Sequence, residues 1–275
     1  MYSMLGDENS IAAHQSLSVM VELYRKRVWT DSRTVNTIAS ACLSDSSKVV
    51  ATAIRFFLGI DRQLVDDEEG AAAEQEQTLA AEINHHRHSK KTAKRAHQTE
   101  RQQAKRAKVA RANQNREPAP VFPAIQLLND PQGLAERLFR KLRQSVDRFE
   151  VKLLMMNFIS RLISSHQLLL LNYYAHLQRY LTVHQKDVTQ ICTFLVQSCH
   201  ALVPADEIHG IVRHIAHHFI TERCAGEAMA VGINTIREVI SRVPLLLEEP
   251  GMDAFAHELV TFAKHRDKSV VMAAR

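Results

Sequence analysis

Eleven cations crowd into one stretch of this chain. Arg87, Lys90, Lys91, Lys94, Arg95, Arg101, Lys105, Arg106, Lys108, Arg111 and Arg116 follow one another in clusters, mostly three to five residues apart. Between positions 82 and 117 only Glu82, Glu100 and Glu117 oppose them, a local balance of +8. The whole 275-residue chain carries +5, so the remainder is mildly acidic at −3. The chemistry such a run offers is phosphate neutralisation. Each contact releases counterions, so affinity for a polyanion falls steeply with salt. On a helix these side chains would surround most of the rod. The segment holds no aromatic residue, so stacking on single-stranded bases is not offered. Backbone and shape contact with structured RNA fits better than base reading. The same composition serves as a nuclear import signal, and a solvated charged tether is the plain competing use.

Fifteen histidines raise the question of a metal. His214 and His218 stand one helical turn apart with His217 beside them, a spacing that zinc ligands use. Ile211, Ile215 and Phe219 already claim the buried face. They are expected at a solvated or core-edge face, with no metal bound. His85, His86 and His88 lie in the basic stretch, where they add positive charge below neutral pH. Catalytic patterns are missing altogether: no glycine-rich phosphate loop, no Gly-x-Ser-x-Gly, no His-Glu-x-x-His. The acid pairs Asp66/Asp67 and Glu248/Glu249 lie in polar links as solvated carboxylates. The expectation is a protein that is not an enzyme, with no cofactor and no small-molecule substrate.

The surrounding elements are all helical. Within SIAAHQSLSVMVELYRKRVW, Ser10 stands as a cap, and Leu17, Val21, Tyr24 and Val28 recur at helical steps. Asp31 precedes a second helix carrying Val35, Ile38, Ala39 and Cys42, and Asp45 a third, SSKVVATAIRFFLG, which Gly59 ends. Nothing alternates with period two, so no strand is expected. From Asp66 composition shifts to an acidic run, then Ala/Glu/Gln, then the basic stretch. Leu79, Ile83 and Val109 are the large aliphatics between Gly70 and Arg116, too few to join a core. Pro118, Pro120 and Pro123 make a stiff link back. Cys42, Cys192, Cys199 and Cys224 form no Cys-x-x-Cys pair and read as reduced core thiols in a nuclear or cytosolic setting. MYSMLGDENS lacks the features of a signal peptide, and the run Leu168 to Leu171 is far too short to span a bilayer.

Beyond residue 122 a rhythm emerges. Asp147, Asp187, Glu227 and Asp267 each open an apolar helix, forty residues apart. Companions fall near 131–143, 167–181, 205–220 and 251–265. Helix pairs at about 40–47 residues are the signature of HEAT-like units, each burying its inner face on its neighbours. The expected fold is thus all-α: a HEAT/armadillo-like helical-repeat solenoid interrupted by a long basic insert, helical or disordered. The boundaries expected are 1–65 for the first repeats, 66–121 for the insert and its Pro-rich link, and 122–275 for the remaining repeats. Arg275 falls inside what reads as a continuing helix.

FPAIQLLNDPQGLAERLF, HQLLLLNYYAHLQRYLTVHQKDVTQ, LVPADEIHGIVRHIAHHFITERCAGEAMAVGINTIREV and HRDKSVVMAAR closely resemble the severe-depolymerization-of-actin protein family. SLSVMVELYRKRVWTDSRTVN and SKVVATAIRFFLG do so too, and only the charged insert breaks the likeness. The resemblance implies a nucleolar factor of large (60S) ribosomal subunit biogenesis and nuclear export. Its partners would be the pre-60S particle, meaning rRNA with ribosomal and assembly proteins, and the import or export machinery, with no membrane partner. An indirect link to actin organisation comes with it. Family members are longer at both ends, which makes this chain a middle portion. Their inserts are richer in Lys after a longer acidic run, so only the sign of the insert's charge carries over. Two other functions fit the pattern: a HEAT-type nuclear transport adaptor, and a regulator of the actin cytoskeleton.

Overall fold

Helices this short are marginal in water and persist only when their apolar faces are covered. The computed structural model describes residues 9–26, 28–59, 123–221 and 224–275, and all regular structure among them is helical, with no strand. The α-helices are α1 (Ser10–Arg25), α2 (Ser32–Ala41), α3 (Ser47–Leu58), α4 (Pro131–Gln144), α5 (Phe149–His166) and α6 (Leu171–Gln178). Then come α7 (Val188–Ser198), α8 (Ala205–Phe219), α9 (Gly226–Arg242), α10 (Met252–Thr261) and α11 (Lys268–Ala274). Shorter 3-10 turns lie at Pro123–Leu127, Pro244–Glu248 and Phe262–Lys264. The all-α expectation holds.

Met1–Leu58 and Ala124–Arg275 form one compact unit, from which Gly59–Pro123 is separate. Within that unit one row of helices runs α1, α3, α5, α7, α9, α11, each packed on the next. The other helices cover this row: α4 lies on α5, α6 on α7, α8 on α9 and α10 on α11. Rows of this kind have a measurable step. Cys192 on α7 lies opposite Thr235 on α9, and Gly226 on α9 opposite Asp267 before α11. These offsets are 235 − 192 = 43 and 267 − 226 = 41 residues. Both fall in the HEAT range of about 40–47.

Between α3 and α5 the step is longer. Ser47 Oγ donates to Asp147 Oδ1 at one end, and Arg161 Nη1 donates to the Leu58 carbonyl at 3.2 Å near the other. The helices therefore run parallel, offset by 100 and 103 residues. Subtracting the ordinary step leaves about 60 residues, close to the length of the charged segment. A regular ladder has been opened between two rungs and closed again. Loop-closure entropy grows only slowly with length, so such an insertion costs the core little.

The joint itself is aromatic. Phe57 of α3 stacks on Phe158 of α5 with centroids 5.0 Å apart and planes 20° apart, and Tyr24 meets Phe56 edge-on at 5.1 Å. Further along, α6 is fastened by two buried hydroxyls. Tyr173 Oη donates to the Met156 carbonyl at 2.8 Å and lies 2.7 Å from Ser160 Oγ, both on α5. Tyr174 Oη donates to the Ser198 carbonyl at 2.7 Å, satisfying an acceptor that the last turn of α7 leaves free. Gly232 lets α9 approach α8: a Cβ there would sit 2.7 Å from Phe219 Cβ.

Several helix ends differ from the sequence expectation. Asn9, not Ser10, caps α1, its Oδ1 accepting from Ile11 N at 3.1 Å. Val28 lies beyond that helix and is exposed. Asp31, Asp187 and Asp267 occupy cap positions without a side-chain cap bond. Asp147 precedes the cap and serves Ser47 instead, and the Asp267 carboxylate lies over Gly226 at the start of α9. Acidic residues do mark these helix starts, but tertiary partners compete for the side chains that local geometry would use. Gly59 ends α3 at φ +66°, in the left-handed region expected of it.

His176 on α6 introduces a pH dependence. Its ring is buried edge-on to Phe139 and tilted against Tyr180, and its Nε2 has no hydrogen-bond partner. Burial first, then the neighbouring Arg179, Arg143 and Lys152, hold its pKa below the ordinary value. The unfolded chain therefore takes up a proton near pH 6.5 that the folded chain resists. Stability falls as pH drops below about 6.5, until the folded pKa is reached. A thermal-unfolding series from pH 7.5 to pH 5 is expected to show this loss, and His176→Phe to flatten it. His214 is shifted the same way, mainly by burial, so part of the slope remains. An unchanged slope in His176→Phe would assign the acid loss elsewhere.

Candidate nucleic-acid interface

Arg87, Lys90, Lys91, Lys94, Arg95, Arg101, Lys105, Arg106, Lys108, Arg111 and Arg116 lie outside the described residues, as do His85, His86, His88 and Asp66/Asp67. What the body does describe is where that segment is rooted. The chain leaves at Leu58–Gly59, where the Leu58 carbonyl is held by Arg161. It re-enters through the turn at Pro123–Leu127, where His166 Nε2 donates to the Ile125 carbonyl at 3.0 Å. Arg161 and His166 are both on α5, about 7.5 Å apart along its axis. The re-entry is further fixed to α2. Ser32 Oγ and Asn36 Nδ2 donate to the Leu127 carbonyl at 3.0 and 3.2 Å, and Asn129 N donates to Asn36 Oδ1 at 3.0 Å. Ala124, Ile125 and Leu128 are buried there. Leu58 and Ile125, on either side of residues 60–122, are thus both held by side chains of α5.

A second basic feature lies at the other end of α5. An open cleft of about 470 Å³ is lined by Leu43 and Asp45 from the α2–α3 link, Arg137, Arg140, Lys141 and Gln144 of α4, and Ser145–Asp147 of the next link. Asp130 starts α4 by accepting from Gly133 N at 2.9 Å, and Pro131 takes the first-turn position. Leu134, Ala135, Leu138, Phe139 and Leu142 bury one face of α4, which turns the arginines outward. Lys141 donates from Nζ to the Ser44 carbonyl, joining α4 to the α2–α3 link. Burial lowers its pKa, while Asp45 and Asp147 act to raise it. In sequence this face does not stand out because its charges, Arg137, Arg140 and Lys141, look like an ordinary solvated helix surface. Their spacing was the signal available.

The histidine cluster has a structural use. His214 Nε2 lies 3.2 Å from the Leu181 carbonyl, and its ring is 4.3 Å from that of His218. Ile211, Ile215 and Phe219 are buried as expected. No group of three His, Cys, Asp or Glu that could hold a metal occurs among the described residues. The four thiols are free. Cys42, Cys192 and Cys199 are buried, with burial pushing Cys199 up to about 12. Cys224 departs from the core position expected of it, lying half-buried in the turn before α9 with Sγ 3.3 Å from the His218 carbonyl. No helix among the described residues is long and apolar enough to cross a membrane.

The family model described as SDA1, HEAT repeat, matches residues 1–266. The chain belongs to the SDA1 family. The repeat-solenoid expectation and the family resemblance both hold. Among SDA1 relatives, the Protein SDA1 homolog of Drosophila melanogaster is 43% identical over 276 residues, covering 100% of this chain and 38% of that protein. The homolog of Nematostella vectensis is 39% identical over 285 residues, covering 100% of this chain and 38% of its own length. Protein sda1 of Schizosaccharomyces pombe is 38% identical over 267 residues, covering 94% of this chain and 36% of its own length. The chain therefore spans little more than a third of the SDA1 proteins it matches.

Proposed function

We propose that this SDA1-family chain is a non-catalytic scaffold for large (60S) ribosomal subunit assembly in the nucleolus and nucleus. Its basic arm holds precursor rRNA, and its helical rows meet the ribosomal and assembly proteins around that RNA. Passage of the pre-ribosome out of the nucleus makes the import and export machinery a further partner. The observation that carries this reading is the separation of charge from core. A segment of +8 is set into a chain that is otherwise −3, and Leu58 and Ile125, which precede and follow it, are both held by α5. Apolar cohesion keeps the frame intact at any salt, while a cationic appendage grips by counterion release. Helical repeats offer long contact surfaces in place of a deep pocket, which suits a scaffold.

The test compares the full chain with one lacking residues 82–116, bound to precursor particles and to purified structured RNA over a salt series. The full chain is expected to show a steep salt slope that shrinks on deletion. Equal binding by both forms would favour the transport adaptor, which uses the repeat surface alone. Co-sedimentation of actin with the arm-deleted repeats, without RNA binding by the full chain, would favour the cytoskeletal regulator.

A further inference from the structure

We propose that the outward face of α4 is a second polyanion site, on the folded body itself, shaped for the phosphate backbone of structured RNA. The inference deepens the assembly-scaffold reading and rests on it. Arg137, Arg140, Lys141 and Gln144 stand at positions i, i+3, i+4 and i+7, so they form one stripe about 10 Å long. Like charges at these spacings repel each other, a cost of a few tenths of a kcal/mol per pair on an isolated helix. Helix surfaces ordinarily relieve this with interleaved carboxylates, and here that relief is withheld. Glu136 is the acid within α4, and it accepts from Gln132 Nε2 at 2.7 Å instead of pairing with Arg140. Arg137 spends its Nε on the Gly133 carbonyl at 3.1 Å. Among the described residues, its terminal nitrogens and the whole guanidinium of Arg140 have no protein partner.

The two acids in the cleft do not cancel these arginines. Asp147 accepts from Ser47, and Asp45 and Asp147 bear on Lys141, whose ammonium is already held by the Ser44 carbonyl. That leaves two planar guanidinium forks one helical turn apart, a donor pattern that matches phosphate oxygens in bidentate fashion. No aromatic ring lines the cleft, so bases are offered no platform and recognition runs through the backbone. Placement adds a reason for the site. Phe149, which opens α5 beside the cleft, and Arg161, which holds the Leu58 carbonyl, are 12 residues apart along α5, about 18 Å. A polyanion held at both points is fixed in orientation, which a single charged tether does not achieve, and the second contact forms at high effective concentration.

The experiment uses the full chain with Arg137→Gln and Arg140→Gln together. Both side chains are exposed, so thermal unfolding is expected to stay where it is. A control removes the same charge elsewhere, by Arg237→Gln with Lys264→Gln. Binding of a structured RNA duplex is followed over a salt series, and contact sites are mapped by photo-crosslinking. The α4 variant is expected to flatten the slope of log K against log salt by about 1.4–1.8, two contacts at ~0.7–0.9 each, and to lose crosslinks to α4 peptides. The control keeps the parent slope. If the α4 variant binds like the control while neutralising the arm flattens the slope, this inference falls and the assembly reading survives. If neither change matters, both fall. Stronger loss of polyglutamate binding than of RNA binding would make the stripe a face for acidic proteins and would also overturn the proposal.

Discussion

Phe158→Ala is expected to lower the unfolding free energy by about 3–5 kcal/mol, the range for truncating a buried phenylalanine. Phe158 has no exposed surface, and Phe57, which stacks on it, is 3% exposed. The alanine would leave a cavity bordered by Phe57, and rigid neighbours refill such a space only in part. For a body of roughly 200 residues this corresponds to a fall in Tm of about 6–20 °C. The pattern of the transition is as informative as its size. α3 and α5 belong to stretches separated by the charged segment, yet they are adjacent rungs. In a ladder, loosening one interface lowers the coupling between everything on either side of it. Calorimetry should therefore show one transition in the parent, and in Phe158→Ala either a single shifted transition or an early one from α1–α3. An unchanged Tm would mean that the two stretches do not share a core.

The second large effect concerns the arm. Replacing its eleven cations by glutamine, in a full-length chain, is expected to remove most of the salt dependence of RNA binding. Six to ten phosphate contacts correspond to a loss of about 10³–10⁵ in affinity between 50 and 200 mM salt, and the glutamine variant should lose far less. A third chain, with residues 82–116 shuffled but of identical composition, separates charge from order. Because the segment holds no aromatic residue and its expected contacts are with backbone phosphates, shuffling is expected to leave affinity and slope nearly unchanged. Loss of binding on shuffling would show that the order of residues is read, which the electrostatic account does not allow.

Much of the architecture could be read from local pattern. Helical faces follow from short-range spacing: Ile211, Ile215 and Phe219 are buried together because a helix returns every 3.6 residues. The forty-residue spacing of Asp147, Asp187, Glu227 and Asp267 anticipated a structural step of 41 to 43. The capping role assigned to those acids did not follow. A carboxylate at a helix start has several partners within reach, and for Asp147 and Asp267 the chosen neighbours come from a different rung.

The residues in order were enough to establish an all-helical repeat chain carrying one concentrated band of positive charge, because periodicity and composition are properties of neighbours in sequence. Stacking of α3 on α5 across the 90 residues between them, the holding of the Leu58 and Ile125 carbonyls by α5, and the bare arginine stripe of α4 came only with the folded structure. Each depends on which distant surface completes a half-buried face or consumes a nearby carboxylate. That choice is made by packing among remote segments, and no local run of residues encodes it.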